Sequence, residues 1–199
     1  MSKNLDIIER KTVFQGFFRM DRYKLRHALF QGGMSGTLTR ELFERGHSVA
    51  VLLFDANADS VVLVEQFRVG ALDAPAGPWL IELVAGMLDS GVAADDVARK
   101  EAREEAGAEL LDLVHVCDYL ASPGGSSERV SLYCARVDSS ALGGVHGLNE
   151  EGEDICVHVV PFEEALDMMA NGVINSAMPI IALQWLALNH ERMLDLWQD

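Results

Sequence analysis

The sequence predicts a mixed α/β sandwich preceded by a small antiparallel sheet. Three observations carry this expectation. The first 45 or so residues alternate apolar and polar side chains in three stretches; strand-like runs lie on both sides of one central helix; and the chain closes on apolar residues at helical spacing.

In order along the chain, IIERKTVF, FFRMDRYKLRHALF and GTLTRELFER are the three alternating stretches between Leu5 and Glu44, and Gln31-Gly32-Gly33 is the turn between the last two. His47 to Phe54 and Val61 to Phe67, joined by the turn-rich DANADS, read as a hairpin, and Trp79 to Val84 as a further short strand ending at Ala85-Gly86. A helix is expected from Ala93 to Ala106, with Gly107 as the residue beyond its end. Ala94, Ala98, Ala102 and Ala106 form a smooth stripe that lets it lie close to a sheet. Strands follow at Leu113–Leu120, Val130–Val137 and Ile155–Val160, then a short helix in PFEEALDMMANG and a last helix from Met178 to Trp197 carrying Ile181, Trp185, Leu188 and Leu196 on its apolar repeat. The division into domains follows: residues 1–45 as an N-terminal sheet subdomain, 46–199 as the main domain.

Composition sets the class. A chain of 199 residues, 49% hydrophobic and 24% charged, is long enough for one sizeable core. No apolar run approaches the roughly 20 residues of a membrane span. The N-terminal segment is broken by Asp6, Glu9, Arg10 and Lys11, unlike a secretory signal, so the cytoplasm is the expected compartment. Cys117, Cys134 and Cys156 stand far apart in strand-like runs and read as buried, reduced thiols. A net charge of -15 argues against nucleic acid as partner and makes binding of any anionic small molecule a problem for metal ions or local arginines. The six histidines have no metal-ligand spacing, and His146 and His158 read as loop and strand residues. Gly32-Gly33 and Gly143-Gly144 are turn signals, since neither is followed by the Lys-Ser or Lys-Thr of a phosphate loop.

The central helix raises the functional question. Glu101, Glu104 and Glu105 sit three and four residues apart in ARKEAREEAGAEL, and such carboxylates repel one another. The column formed by Glu101, Glu105 and Glu109 at four-residue steps is expected to have no basic partner within the helix, although Asp95 with Arg99 and Asp96 with Lys100 are favourably spaced pairs. A solvated face is one explanation. A site for a hard divalent cation, which takes oxygen ligands, is the other.

The flanking residues favour the second. GMLDSGVAADDVARKEAREEAGA, from Gly86 to Ala108, resembles the box of the Nudix hydrolase family, G-x5-E-x7-R-E-U-x-E-E-x-G-U with U aliphatic. Gly86, Glu101, Ala102, Glu104, Glu105, Gly107 and Ala108 fall in register, while Val92 stands where the pattern has Glu and Lys100 where it has Arg. Over nearly the whole chain, EQFRVG, WLIELVAGMLD, YLASPGGSSERV, HGLNEEGEDICVHVV and ALQWLALNHE look like the ADP-ribose pyrophosphatases of that family.

The resemblance implies an α/β/α Nudix sandwich and Mg²⁺-dependent (or Mn²⁺-dependent) hydrolysis of ADP-ribose to AMP and ribose 5-phosphate by a homodimer formed through the N-terminal sheet. It implies metal ligands at Glu101, Glu105 and the carbonyl of Ala85, with Glu104 as a further or supporting ligand. The general base falls at Glu151, with Glu150 and Glu153 as rivals in the same acidic loop. Arg68 and Arg40 match phosphate-binding positions, Gly125 and Glu128 lie where the terminal ribose is contacted, and Phe17 matches a ring that stacks on adenine from the partner subunit. A pyrophosphatase for another nucleoside diphosphate sugar such as GDP-mannose is the rival enzyme. A ligand-sensing module without catalysis is the rival of another class, with Val92 its one suggestive feature.

Overall fold

The structure, a computed structural model, describes residues 3–88 and 91–198. It divides into two compact units, one of Met1–His47 with Leu120–Arg129, the other of Ser48–Tyr119 with Val130–Asp199.

The first unit is a three-stranded antiparallel sheet in the order β1 (Leu5–Gln15), β2 (Arg19–His27), β3 (Leu38–Glu44). The alternating stretches of the sequence form its strands as expected. Asp21, 1% exposed, accepts hydrogen bonds from Thr12, Arg10 and Arg19. Those partners hold its carboxyl below the usual range, the Thr12 hydroxyl foremost. The 120–129 segment joins this unit because the Phe43 N–H donates to the Gly125 carbonyl (2.8 Å) and Ser127 Oγ donates to Glu44 (2.6 Å).

The second unit is built on a mixed sheet. Its order is β10 (Gly144–His146), β11 (Ile155–Pro161), β5 (Ser60–Phe67), β4 (Ser48–Asp55), β9 (Arg129–Arg136), β8 (Asp112–Leu120), with β6 (Trp79–Glu82) on β5 and β7 (Val84–Met87) on β4. β4 runs parallel to β9 and antiparallel to β5 and β7. Every residue of β4, SVAVLLFD, is buried, as a central strand covered on both faces must be. Its side chains alternate between two cores. Val49, Val51 and Leu53 pack with Val97, Ala98, Ala102 and Ala106 of α1 (Ala94–Ala106), whose small-residue stripe thus lies on the sheet. Ala50, Leu52 and Phe54 pack with α2 (Phe162–Ala170) and α3 (Ala177–Trp197) on the other side. The unit is an α/β/α sandwich.

Three details differ from the sequence reading. The strand expected over Trp79–Val84 is two strands broken at Leu83, because the chain crosses from pairing with β5 to pairing with β4. Gly144 opens a short strand that its glycine pair conceals. The buried stripe of α3 runs through Ala182, Leu183, Leu186, Met193 and Trp197, leaving Leu188 and Leu196 exposed; a helix apolar on nearly every side gives its buried face no clear periodicity.

Candidate active site

The site in the second unit is organised by the short segment Leu83 to Gly86. β7 pairs with β4, so Ala85 and Gly86 sit at fixed register opposite Ala50 and Val49. α1 crosses this segment. Gly86 is what allows the approach, since a Cβ there would collide with the Cγ, Cδ and Oε1 atoms of Glu101. The helix ends as the sequence predicts: Gly107 adopts φ 64°, and its N–H bonds to the carbonyls of Ala102 and Arg103.

One turn beyond Glu101, Glu105 is 3% exposed and its Oε2 accepts the Ala85 N–H at 2.9 Å. Burial pushes its carboxyl up to about 8; the Ala85 N–H and the Arg68 guanidinium pull it down, while the charges of Glu101 and Glu153 push it further up. Glu101 is raised too, chiefly by burial, with Lys100 opposing and Glu104 and Glu153 adding to the rise.

The acidic column does have a basic neighbour, contrary to the spacing argument. Lys100 Nζ bonds Glu104 Oε2 at 2.8 Å, one helical turn on, and reaches Glu101 Oε1 at 3.4 Å. Arg99 leaves the expected pairing with Asp95 as well, donating to the Leu110 carbonyl at 2.7 Å. Neutralisation by Lys100 stops at Glu101 and Glu104. Glu105, the deepest of the three, instead accepts a backbone N–H and lies in the field of the Arg68 charge.

Arg68, just after β5, donates from Nε to Glu82 Oε2 at 2.6 Å. On the acidic loop, Glu151 ends a 3-10 turn (Asn149–Glu151), is exposed, and is followed by Gly152 at φ 72°. Glu153 is half-buried; its Oε2 accepts the Leu148 N–H at 3.0 Å, and its charge acts on both Glu101 and Glu105. The fold therefore gathers Ala85, Glu101, Glu105, Arg68 and Glu153 around one place, with Glu104 turned to Lys100 and Glu151 at the rim of its loop. Two acidic residues gain weight beyond the sequence reading. Glu82 is seen only through its pairing with Arg68, and Glu153 stands closer to the carboxylate field than its place beside β11 indicated. Val92 is 46% exposed.

The remaining candidates belong to the first unit. Phe17 is 87% exposed and meets the Phe18 ring edge-on at 4.8 Å. Arg40 is exposed and donates to the Thr39 carbonyl. The Gly125 N–H is bonded to the Ser122 carbonyl at 3.1 Å. Glu128 is buried and paired with Arg45 at 3.1 Å. A cavity of about 430 Å³ lined by Val114, Arg192, Met193, Asp195 and Leu196 contains none of the candidate residues.

The donor types fit a hard divalent cation: carboxylates, a backbone carbonyl, and a buried acid held by a backbone N–H. Among the described residues no three acidic, histidine or cysteine side chains already form a closed metal cluster; Glu105 accepts the Ala85 N–H and Glu104 the Lys100 ammonium. Ion binding would have to draw on side chains that now have other partners.

Residues 44–178 match the model of the NUDIX domain. The chain is 48% identical over 194 residues to an ADP-ribose pyrophosphatase of Escherichia coli (strain K12), covering 98% of this chain and 93% of that protein. It is 44% identical to the ADP-ribose pyrophosphatase of Haemophilus influenzae (98% and 92% covered). A GDP-mannose pyrophosphatase of Cronobacter sakazakii is 35% identical (94% and 97% covered). A solved structure described as an ADP compounds hydrolase superposes with a TM-score of 0.73 over 95% of both chains at 18% identity, a likeness of fold. With the box carboxylates stacked against Ala85 and Gly86 and the domain matched over most of its length, the chain belongs to the Nudix family.

Proposed function

We propose that this chain is a Mg²⁺-dependent pyrophosphatase that hydrolyses ADP-ribose to AMP and ribose 5-phosphate, with Mn²⁺ as an alternative ion. The observation that carries the reading is the stacking of Glu101 and Glu105 on Ala85 and Gly86, with Arg68 acting on the same buried carboxyl. The substrate is supported by the greater likeness to ADP-ribose pyrophosphatases than to GDP-mannose pyrophosphatases.

Glu101, Glu105 and the Ala85 carbonyl are the residues that would hold the metal, with Glu104 in support and Glu153 close enough to add charge. Bound there, a divalent cation supplies Lewis-acid charge to the pyrophosphate oxygens and makes water more acidic. Arg68 and Arg40 bind the phosphates, a role suited to the planar guanidinium fork. Glu151 takes the proton of the attacking water, the bridging P–O bond breaks, and the two monophosphates leave. Gly125 and Glu128 contact the terminal ribose, and Phe17 of the partner subunit stacks on adenine.

The N-terminal sheet is the dimerisation subdomain. β1 is an edge strand exposed along all eleven residues, with Leu5, Ile7, Ile8 and Phe14 more than half exposed, a surface that a lone chain would leave open to pairing. The cytoplasm is the proposed compartment. Its support is three free cysteines, of which Cys134 is fully buried with its thiol pushed up by burial while Cys117 and Cys156 are only partly buried, contrary to expectation; among the described residues no helix is long and apolar enough to cross a membrane.

The test is product analysis on ADP-ribose, GDP-mannose and other nucleoside diphosphate sugars with Mg²⁺ and with EDTA. AMP and ribose 5-phosphate from ADP-ribose, abolished by EDTA, is the expected result. Preferred turnover of GDP-mannose would replace the substrate. Binding of ADP-ribose without turnover would make the chain a sensing module.

A further inference from the structure

We propose that Glu82 is the positioning residue of Arg68, holding its guanidinium by one edge so that the other nitrogens meet the pyrophosphate of the substrate. The inference rests on the reading above that the chain binds ADP-ribose.

Glu82 closes β6, and its side chain is 16% exposed; Arg68 follows β5, and its side chain is 43% exposed. Oε2 of Glu82 takes Nε of Arg68 at 2.6 Å, and among the described residues neither terminal nitrogen of Arg68 has a protein partner. Those terminal nitrogens are the ones that bind phosphate oxygens in pairs. The backbone of Arg68 is fixed as well, with its N–H bonded to the Pro78 carbonyl at 2.7 Å and its carbonyl accepting the Ala71 N–H at 2.9 Å. Three residues after Glu82, Ala85 is held in β7 opposite Ala50 and donates its N–H to Glu105 Oε2, so one short segment holds both Arg68 and a box carboxylate.

The sign of the charge separates this role from a bland one. In a chain of net charge -15, a carboxylate beside an anion site repels the ligand. Glu82 repays that repulsion only through Arg68. A half-exposed arginine otherwise rotates freely and loses that freedom on binding, whereas one already held by Nε loses less.

The experiment measures affinity for ADP-ribose with a methylene group in place of the bridging oxygen, by calorimetry with Mg²⁺, alongside KM and kcat for ADP-ribose. The variants are Glu82→Ala, Glu82→Asp, Glu82→Gln and Arg68→Ala, with Glu82→Asp/Arg68→Ala completing the cycle. Glu82→Asp keeps the charge and loses the reach; Glu82→Gln keeps an acceptor in reach and loses the charge. Glu82→Ala and Glu82→Asp should weaken analogue binding and raise KM roughly tenfold to a hundredfold, with a smaller change in kcat. Glu82→Gln should stay near wild type. Glu82→Asp should add nothing once Arg68 is gone. If Glu82→Ala does not fold, the Asp and Gln variants decide alone. Unchanged or tighter binding by Glu82→Asp, or an additive loss in the double variant, would overturn the role. Failure of the wild-type chain itself to bind the analogue would overturn the ADP-ribose reading and this role with it, an outcome distinct from wild-type binding that Glu82 does not affect.

Discussion

The Ala85 N–H points at Glu105 Oε2 across 2.9 Å, joining the strand that carries the backbone metal candidate to the deepest carboxyl of the helix. One backbone donor is little compensation for a buried carboxylate, which is why its proton is held up to about 8.

That shift fixes the pH dependence of the metal-free chain. The folded state holds the Glu105 proton to about 8, while the unfolded chain releases it near the ordinary 4.5. The stabilisation is therefore fully present below about 4.5 and lost as pH rises toward 8. Glu101, also raised, acts in the same direction. Melting in EDTA should fall by on the order of 5 °C between pH 5 and pH 8, and Glu105→Gln should flatten much of that slope. Mg²⁺ binds the ionised form, so the gap between melts with and without it should widen with pH. A wild-type melt in EDTA that rises from pH 5 to 8 contradicts this account, and so does a Glu105→Gln enzyme with full activity.

Gly86→Ala places a methyl group where Glu101 now lies. The helix must move or the carboxylate must swing away, at a cost of about 1–3 kcal/mol. The variant should melt lower and lose most of its kcat, while Gly36→Ala, whose Cβ would meet nothing within 4 Å and whose φ lies outside the left-handed region, should lose no activity. Equal activity in Gly86→Ala and wild type would remove the close approach from the account.

Glu151→Gln should lower kcat roughly a hundredfold to ten-thousandfold with KM and metal affinity little changed, as expected on loss of a general base. Glu153→Gln should show itself in the Mg²⁺ titration, because its charge reaches Glu101 and Glu105. If Glu153→Gln instead reproduces the kcat loss at saturating metal while Glu151→Gln is nearly silent, the base has been assigned to the wrong residue.

Val92→Glu should change kcat by less than about tenfold, since the position is exposed and Lys100 already serves Glu101 and Glu104. Lys100→Met should be the more harmful change, with a weakened Mg²⁺ response. A hundredfold gain from Val92→Glu would mean that the wild-type chain is a degenerate enzyme.

Ile7→Asp with Phe14→Asp should turn a dimer into a monomer by light scattering, with a melt near wild type at equal monomer concentration, because neither side chain is buried within the chain. A dimer unaffected by both changes would place the interface elsewhere.

What the sequence made legible follows from how local each signal is. The α1 stripe and Gly107 are written within twenty residues, and both fall where expected. The Leu83 break was not legible, because WLIELV reads as one apolar run and only pairing with two different strands divides it. Lys100 gives no signal along the column for a related reason: steps of four from Glu101 pass it by, while the pairing that forms runs from Lys100 to Glu104. Glu82 and Glu153 carry no periodic signal, and their roles exist only once distant strands bring them beside Arg68, Glu101 and Glu105.

The break at Leu83 has a consequence for what can change in such a chain. Glu82, pinned through β6 to β5, holds Arg68, and Ala85, pinned through β7 to β4, holds Glu105. Only Leu83 and Val84, both fully buried, separate the two. The span between the proposed arm for the phosphate and the proposed seat for the ion is thus a fixed ruler two residues long. Substrates of different size can be accommodated by loops elsewhere, but a single insertion or deletion inside this ruler shifts one arm out of register with the other, and no side-chain substitution restores it.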